Sequence, residues 1–300
     1  MNATKEICLF KTYLENVQNR SDRTVMAYIS ALSEFCDVMR DRASINDITR
    51  RDIESIYIAK LVGSGNCAAS RAKKLSALRS FFRWSKENGI VSENPMDGVD
   101  MPKIPQKKPK VMSKEEVYDV LLQAKYGSKR EDDYEIFRDF TILSLMFSTG
   151  VRRSELTGIK LSDVYLSDGS MLIHGKGNKE RVVYYNDATK ALLFEYINVH
   201  RKKMSHSAES EYLFVSRKDI KLCESTVNRI VNKYLEKAGL KSKGYTAHST
   251  RKAFATMVYK NTGDLLAVQN LLGHASPTTT QRYVGVAEDS KRRAAMTVNF

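Results

Sequence analysis

Between Thr246 and Tyr283 the chain reads TAHSTRKAFATMVYKNTGDLLAVQNLLGHASPTTTQRY, and His248, Arg251, His274 and Tyr283 within it could act together on a phosphate. A guanidinium grips two phosphate oxygens through its planar fork. An imidazole can accept or share a nucleophile's proton. A phenol titrates near ~10 when unperturbed, so it needs such neighbours before it can attack phosphorus. His248 and Arg251 stand three residues apart, on one face if the segment is helical. Phe254, Met257 and Val258 follow at helical spacing. Gly263-Asp264 ends that helix, and Leu265 to Leu272 reads as a second, short amphipathic one with Gly273 as its C-cap. His274 is then left in the turn beyond. Pro277 opens a further helix that contains Tyr283. Three short helices must therefore bring two imidazoles, a guanidinium and a phenol together.

Two upstream segments can add cations. Residues 135–148, EIFRDFTILSLMFS, form a strongly apolar helix that Thr149-Gly150 stops, and the next helix starts near Arg153. Arg152 falls in the connection at the edge of the core, where a charge needs partners; it could pair with Glu155 and do nothing else. Residues 171–185, MLIHGKGNKERVVYY, switch period: two short apolar runs flank a Gly/Asn-rich turn, which reads as a β-hairpin with Lys176 in its turn region. Taken alone, such a lysine serves solubility. Tyr283 is one of 15 tyrosines, most of which must be structural.

The segments H-x-x-R, L-L-G-H and T-T-Q-x-Y, preceded by TGVRRSEL at Thr149–Leu156 and GKGNKER at Gly175–Arg181, resemble in order and spacing those of the tyrosine recombinase (phage integrase) family. The nearest likeness is to the Xer recombinases and to small integrases of mobile elements. It runs along the whole chain, weakly before residue 100 and strongly after 140. The resemblance places Arg152 at the family's first arginine and Lys176 at its hairpin lysine. It implies that Tyr283 attacks one strand of duplex DNA, leaving a 3′-phosphotyrosyl link and a free 5′-hydroxyl. Arg152 and Arg251 would then neutralise the non-bridging oxygens. His248 would assist the phenol's proton, Lys176 would protonate the departing oxygen, and His274 would orient the phosphate. The stored phosphotyrosine bond makes the exchange nearly isoenergetic, so no nucleotide cofactor is expected. No carboxylate cluster or metal-spaced His/Cys set accompanies these residues, so no metal is expected either. Lys252 and Thr250 depart from the family's commoner residues without removing a catalytic group.

The rest of the chain must hold and present this set. Residues 4–19, 22–41, 49–62 and 68–88 read as amphipathic helices, an all-α N-terminal domain over residues 1–101. In the last of them Leu75, Leu78 and Phe82 make the buried stripe, while Arg79, Arg83 and Lys86 cluster on one flank. That flank is a solvated basic face or, as the resemblance implies, a DNA contact. Residues 102–112 form a basic linker: the stretch 93–113 holds four of the five prolines, and Lys103, Lys107, Lys108 and Lys110 follow Met101. Lys107, Lys108 and Lys110 are its expected phosphate contacts. Residues 113–300 are the C-terminal catalytic domain, opened by a capping box at Ser113–Glu116. Helices are expected at 187–200 and 225–238, with a strand at Tyr212–Ser216. The expected fold is thus mainly α with a small β-sheet or hairpin in the catalytic domain, arranged as the family implies in a two-domain DNA clamp.

Net charge is +14, and the first 101 residues carry 15 basic against 13 acidic side chains, so the excess sits in the remainder. That favours a polyanionic partner, here double-stranded DNA. No run of ~18 apolar residues supplies a membrane span. The N-terminus lacks the features of a signal peptide and Cys8, Cys36, Cys67 and Cys223 are scattered, so a cytoplasmic protein with reduced thiols is expected. Three functions stay open. The first is a site-specific recombinase, working as a homo-tetramer on two DNA sites with or without a second recombinase or accessory protein. Its task would be dimer resolution or mobile-element integration and excision. The second is a type IB topoisomerase-like enzyme, and the third a catalytically silent DNA-binding protein. The seventeen residues after Tyr283 bear on this choice, since the resemblance implies that such a tail docks on a neighbouring protomer.

Overall fold

The computed structural model describes residues 3–105, 110–126, 134–175, 179–204, 208–216 and 221–273. Its contacts divide the chain into two compact units, Met1–Gln106 and Lys107–Phe300, each with its own hydrophobic core.

In the first unit, α1 (Thr4–Asn16) and α2 (Asp22–Val38) are followed by a helical run made of α3 (Arg50–Asp52), a π-helical stretch Ile53–Ile58 and α4 (Ala59–Gly63). A long helix, α5 (Ala68–Glu87), closes the set. The first helix stops short of the expected 19, and Asn19 takes a left-handed φ of 47°, which no helix can continue through. The expected helix at 49–62 opens on a reciprocal cap: Thr49 Oγ1 accepts the Asp52 N–H at 3.2 Å, and the Asp52 carboxylate accepts the Thr49 N–H at 2.9 Å. Its π turns keep Ile53, Tyr57 and Leu61 on one fully buried stripe. Helix α5 buries Leu75, Leu78, Phe81 and Phe82. Phe10 meets Phe81 edge-on at 5.3 Å, and Phe35 meets Phe82 likewise at 5.9 Å. Each such ring or leucine contributes roughly 1.5–3 kcal/mol through burial.

The second unit opens on α6 (Lys114–Tyr126), capped as the sequence requires: the Ser113 N–H donates to Glu116 Oε2 at 2.8 Å, and the Glu116 N–H to Ser113 Oγ at 3.2 Å. Helix α7 (Tyr134–Thr149) is apolar almost all round, and Ile142, Leu143, Leu145 and Met146 are fully buried, as a central helix must be. It leads through Gly150 into α8 (Arg153–Gly158). A three-stranded antiparallel sheet follows, with β1 (Val164–Tyr165), β2 (Ser170–His174) and β3 (Glu180–Tyr184) in that order. Register runs from Ser170↔Tyr184 to His174↔Glu180, so the hairpin read from the change of period is present. Next come α9 (Asp187–Glu195), continued by π turns over Tyr196–His200, and α10 (Glu224–Lys237). Among the described residues the last helices are α11 (Ala247–Thr262) and α12 (Leu265–Leu272), ended by Gly263 and Gly273 in left-handed conformation.

The strand expected at Tyr212–Ser216 reduces to a single bridge between Tyr212 and Lys160. Its carbonyls have another partner: the buried Arg201 guanidinium donates to those of Tyr212 and Leu213, at 2.8 and 3.1 Å. A side chain there does what a neighbouring strand would otherwise do.

Candidate active site

The turn between α7 and α8 sets the geometry. Gly150 has φ +65°, and a Cβ there would lie 2.5 Å from Phe254 Cδ1 and 3.0 Å from Leu272 Cδ2. Only glycine lets the turn, α11 and the end of α12 come this close. Arg152 follows in extended conformation as the N-cap of α8. Glu155, three residues on, accepts its backbone N–H at 2.7 Å and its Nη1 at 2.6 Å. The pairing foreseen for Arg152 therefore exists, but it occupies one edge of a guanidinium whose side chain is still 41% exposed.

Glu155 is buried and serves three arginines. Arg181 of β3 meets it bidentately, Nη1 to Oε1 at 2.9 Å and Nη2 to Oε2 at 2.8 Å. Arg251 Nη1 stands 3.9 Å from Oε2. Burial opposes ionisation of this carboxyl, but hydrogen bonds from Arg181 and from the Arg152 N–H outweigh it and hold the pKa at about 2. One anion thus gathers three cations, and the surplus positive charge suits a phosphodiester.

Arg251, in the second turn of α11, is 1% exposed. Its Nη1 donates to the Gly150 carbonyl at 2.7 Å and its Nη2 to the Leu272 carbonyl at 2.5 Å. The second acceptor lies at the C-terminus of α12, where the helix dipole favours a cation. His248 lies one turn earlier on the same helix and is exposed; Thr246 caps that turn by accepting the His248 N–H at 3.3 Å. Crowding of its ring by surrounding atoms, then the charges of Lys252, Arg251, Arg152 and Arg153, push its pKa below the ordinary value. The imidazole is therefore neutral near pH 7 and free to take a proton.

Arg152, His248 and Arg251 are thus assembled by α8 and α11. Lys176, His274 and Tyr283 lie outside the described residues, as do Lys107 and Lys108. Of the other expected DNA contacts, Arg83 and Lys86 are exposed on α5. Arg79 is half-buried, and its Nη2 donates to the Val99 carbonyl at 2.6 Å, so it also ties α5 to the segment after it. Lys110 Nζ donates to the Lys243 carbonyl at 3.0 Å, fastening the start of the second unit to its own body. Among the described residues no three His, Cys, Asp or Glu side chains group as a metal ligand set.

In the sequence Glu155 stands out only as a partner for Arg152, and Arg181 carries no role there. The signal for Arg181 lay in strand alternation. Arg181 shares a face of β3 with the buried Val183, and a charge on a core-facing position needs a partner.

Residues 110–290 match the description Phage integrase family, and residues 7–89 match Phage integrase, N-terminal SAM-like domain. A tyrosine recombinase XerC of Lactobacillus leichmannii is 32% identical over 282 residues, 93% of this chain and 93% of that protein. The structure of XerH site-specific recombinase bound to palindromic difH substrate, a post-cleavage complex, superposes with a TM-score of 0.77 at 23% identity, covering 95% of this chain and 84% of that one. A lambda integrase tetramer bound to a Holliday junction gives a TM-score of 0.73 at 21% identity, covering 93% and 76%. These two structural likenesses are of fold.

Proposed function

Because the chain belongs to the phage integrase family of tyrosine recombinases, we propose that Tyr283 is its nucleophile, joining a 3′-phosphate of duplex DNA and releasing a 5′-hydroxyl. The protein is a DNA strand-exchange enzyme of site-specific recombination. The topoisomerase-like and silent readings are not favoured, since the relative matched over nearly the full chain is named a recombinase.

In this reading Arg152 and Arg251 take the non-bridging oxygens as charge builds on phosphorus. Neutral His248 receives the phenol's proton, Lys176 supplies one to the departing 5′ oxygen, and His274 orients the phosphate. The observation that carries the reading is the convergence of Arg152 and Arg251 on one buried carboxylate. The shared carboxylate draws the two guanidinium groups together ahead of DNA. Arg83, Lys86, Lys107, Lys108 and Lys110, with Arg79, would meet the DNA backbone. The chain would divide at residues 102–112, a basic linker between residues 1–101 and the catalytic residues 113–300. A homo-tetramer on two DNA sites is the working assembly, a reading supported by the tetrameric lambda integrase relative in fold.

Covalent capture tests it. Wild-type protein is incubated with a pool of nicked duplexes of random sequence, and protein-linked DNA is recovered under denaturing conditions and sequenced. The wild type is expected to trap a defined duplex. Tyr283→Phe is expected to bind that duplex and trap none, because only the hydroxyl is removed. Adduct formed by Tyr283→Phe would identify another nucleophile, and no adduct from wild type would reject the mechanism.

A further inference from the structure

The Arg181 guanidinium is placed where it can govern the site without meeting DNA. Its side chain is 13% exposed, and both terminal nitrogens are spent on Glu155. Its Nε donates to the Leu271 carbonyl at 3.3 Å, beside the Leu272 carbonyl held by Arg251. The last turn of α12 is therefore gripped by two arginines from different elements. Gly273 makes room for the grip: with φ +60°, a Cβ there would lie 2.9 Å from Arg181 Cδ and 3.4 Å from its Nε. The next residue in the chain is His274.

We propose that Arg181 is a positioning residue of the strand-exchange site: it fixes the Glu155 carboxylate between Arg152 and Arg251 and anchors the end of α12 from which the chain enters His274. The proposal rests on the reading of Arg152 and Arg251 as phosphate-binding groups. A lone buried charge pair would require only a cation near Glu155. The observed arrangement uses all three nitrogens of a planar fork, and a lysine, with one point charge on a flexible stem, cannot reproduce it.

Arg181→Ala and Arg181→Lys are compared with wild type by thermal unfolding, affinity for the captured duplex and single-turnover cleavage across pH. Both variants are expected to bind DNA like wild type and to cleave it on the order of 10²-fold more slowly, the scale of loss when catalytic groups shift by about 1 Å. In Arg181→Ala the Glu155 carboxyl loses its strongest partner and titrates higher. Protonation of His248 lowers the cleavage rate of both enzymes on the acid side, and the Arg181→Ala rate should fall more steeply there than that of wild type. Millimolar guanidinium ion should restore part of the Arg181→Ala rate and leave wild type unchanged. Wild-type cleavage by either variant overturns the proposal. A slow Arg181→Ala enzyme with an unaltered pH profile and no rescue overturns it too, by reducing Arg181 to a stabilising contact. Should Arg181→Ala fail to fold, Arg181→Lys decides by its rate, and unfolding of both variants counts against positioning. A wild type that traps no duplex at all rejects the functional reading and takes this proposal with it.

Discussion

Glu155 is the residue on which the described part of the site turns. Its carboxyl ordinarily titrates near 4.5 and is held at about 2 in the fold. A depressed carboxyl contributes stability that is fully present above the unfolded value and is lost as pH falls through the folded one. The stability of the second unit should therefore decline between about pH 4.5 and pH 2, by on the order of 3 kcal/mol from this group. Glu155→Gln should lose a comparable amount at neutral pH and show a flatter acid decline, measured by urea unfolding at a series of pH values. An identical acid decline in wild type and Glu155→Gln would assign the effect to other carboxylates. Two glycines supply a second comparison at this scale. Gly263 and Gly273 both cap helices with positive φ, but a Cβ at Gly263 meets nothing within 4 Å, whereas one at Gly273 strikes Arg181. Gly263→Ala should cost only the left-handed strain of ~1–2 kcal/mol. Gly273→Ala should cost more, and should slow cleavage of the captured duplex as well. Equal losses of stability at the two sites would mean that Arg181 moves aside freely.

At the scale of elements, α5 does two jobs with neighbouring basic residues. Arg83 and Lys86 are exposed, whereas Arg79 is tied to the Val99 carbonyl. If all three meet phosphates, each alanine substitution should lower the salt dependence of DNA affinity by ~0.9 log units per log unit of salt. Arg79→Ala should also lower the melting temperature, because it leaves a partly buried carbonyl without its donor. Arg83→Ala and Lys86→Ala should leave melting unchanged. A salt slope that none of the three alters would return this flank to an ordinary solvated face. The hairpin β2–β3 shows a similar division. Its register places Arg181 inward toward Glu155, while Lys176 lies between the two strands in sequence.

For the whole molecule, the residues beyond Tyr283 offer the clearest test. Val286, Ala287, Ala294, Ala295 and Met296, then Val298 and Phe300, supply apolar surface, and the segment lies outside the described residues. Docked on its own protomer it would complete a core; docked on a neighbour it would couple cleavage to assembly. Deletion from Ser290 onward is expected to leave a folded protein that binds one site and is impaired in synapsis and strand exchange. Global unfolding of the truncated chain would make the tail core-filling, and normal strand exchange would show no coupling between protomers. The excess positive charge residing after residue 101 fits a polyanionic partner. No helix among the described residues is long and apolar enough to cross a membrane.

What the sequence determined by itself is local in origin. Periodicity, caps and glycines placed α5, α7, α11, α12 and the hairpin within a few residues, because those signals act over one or two turns of chain. Motif order and spacing singled out Arg152, His248 and Arg251 as candidates. Only the tertiary structure decided which partners these groups keep. That Glu155 serves three arginines, and that Arg251 spans from the Gly150 carbonyl to that of Leu272, depends on pairs separated by up to 101 residues. The same holds for the strand expected at Tyr212–Ser216, where the Arg201 guanidinium takes the Tyr212 and Leu213 carbonyls. A buried charge selects its partners by where the packed core leaves them, and that choice exists only once the chain has folded.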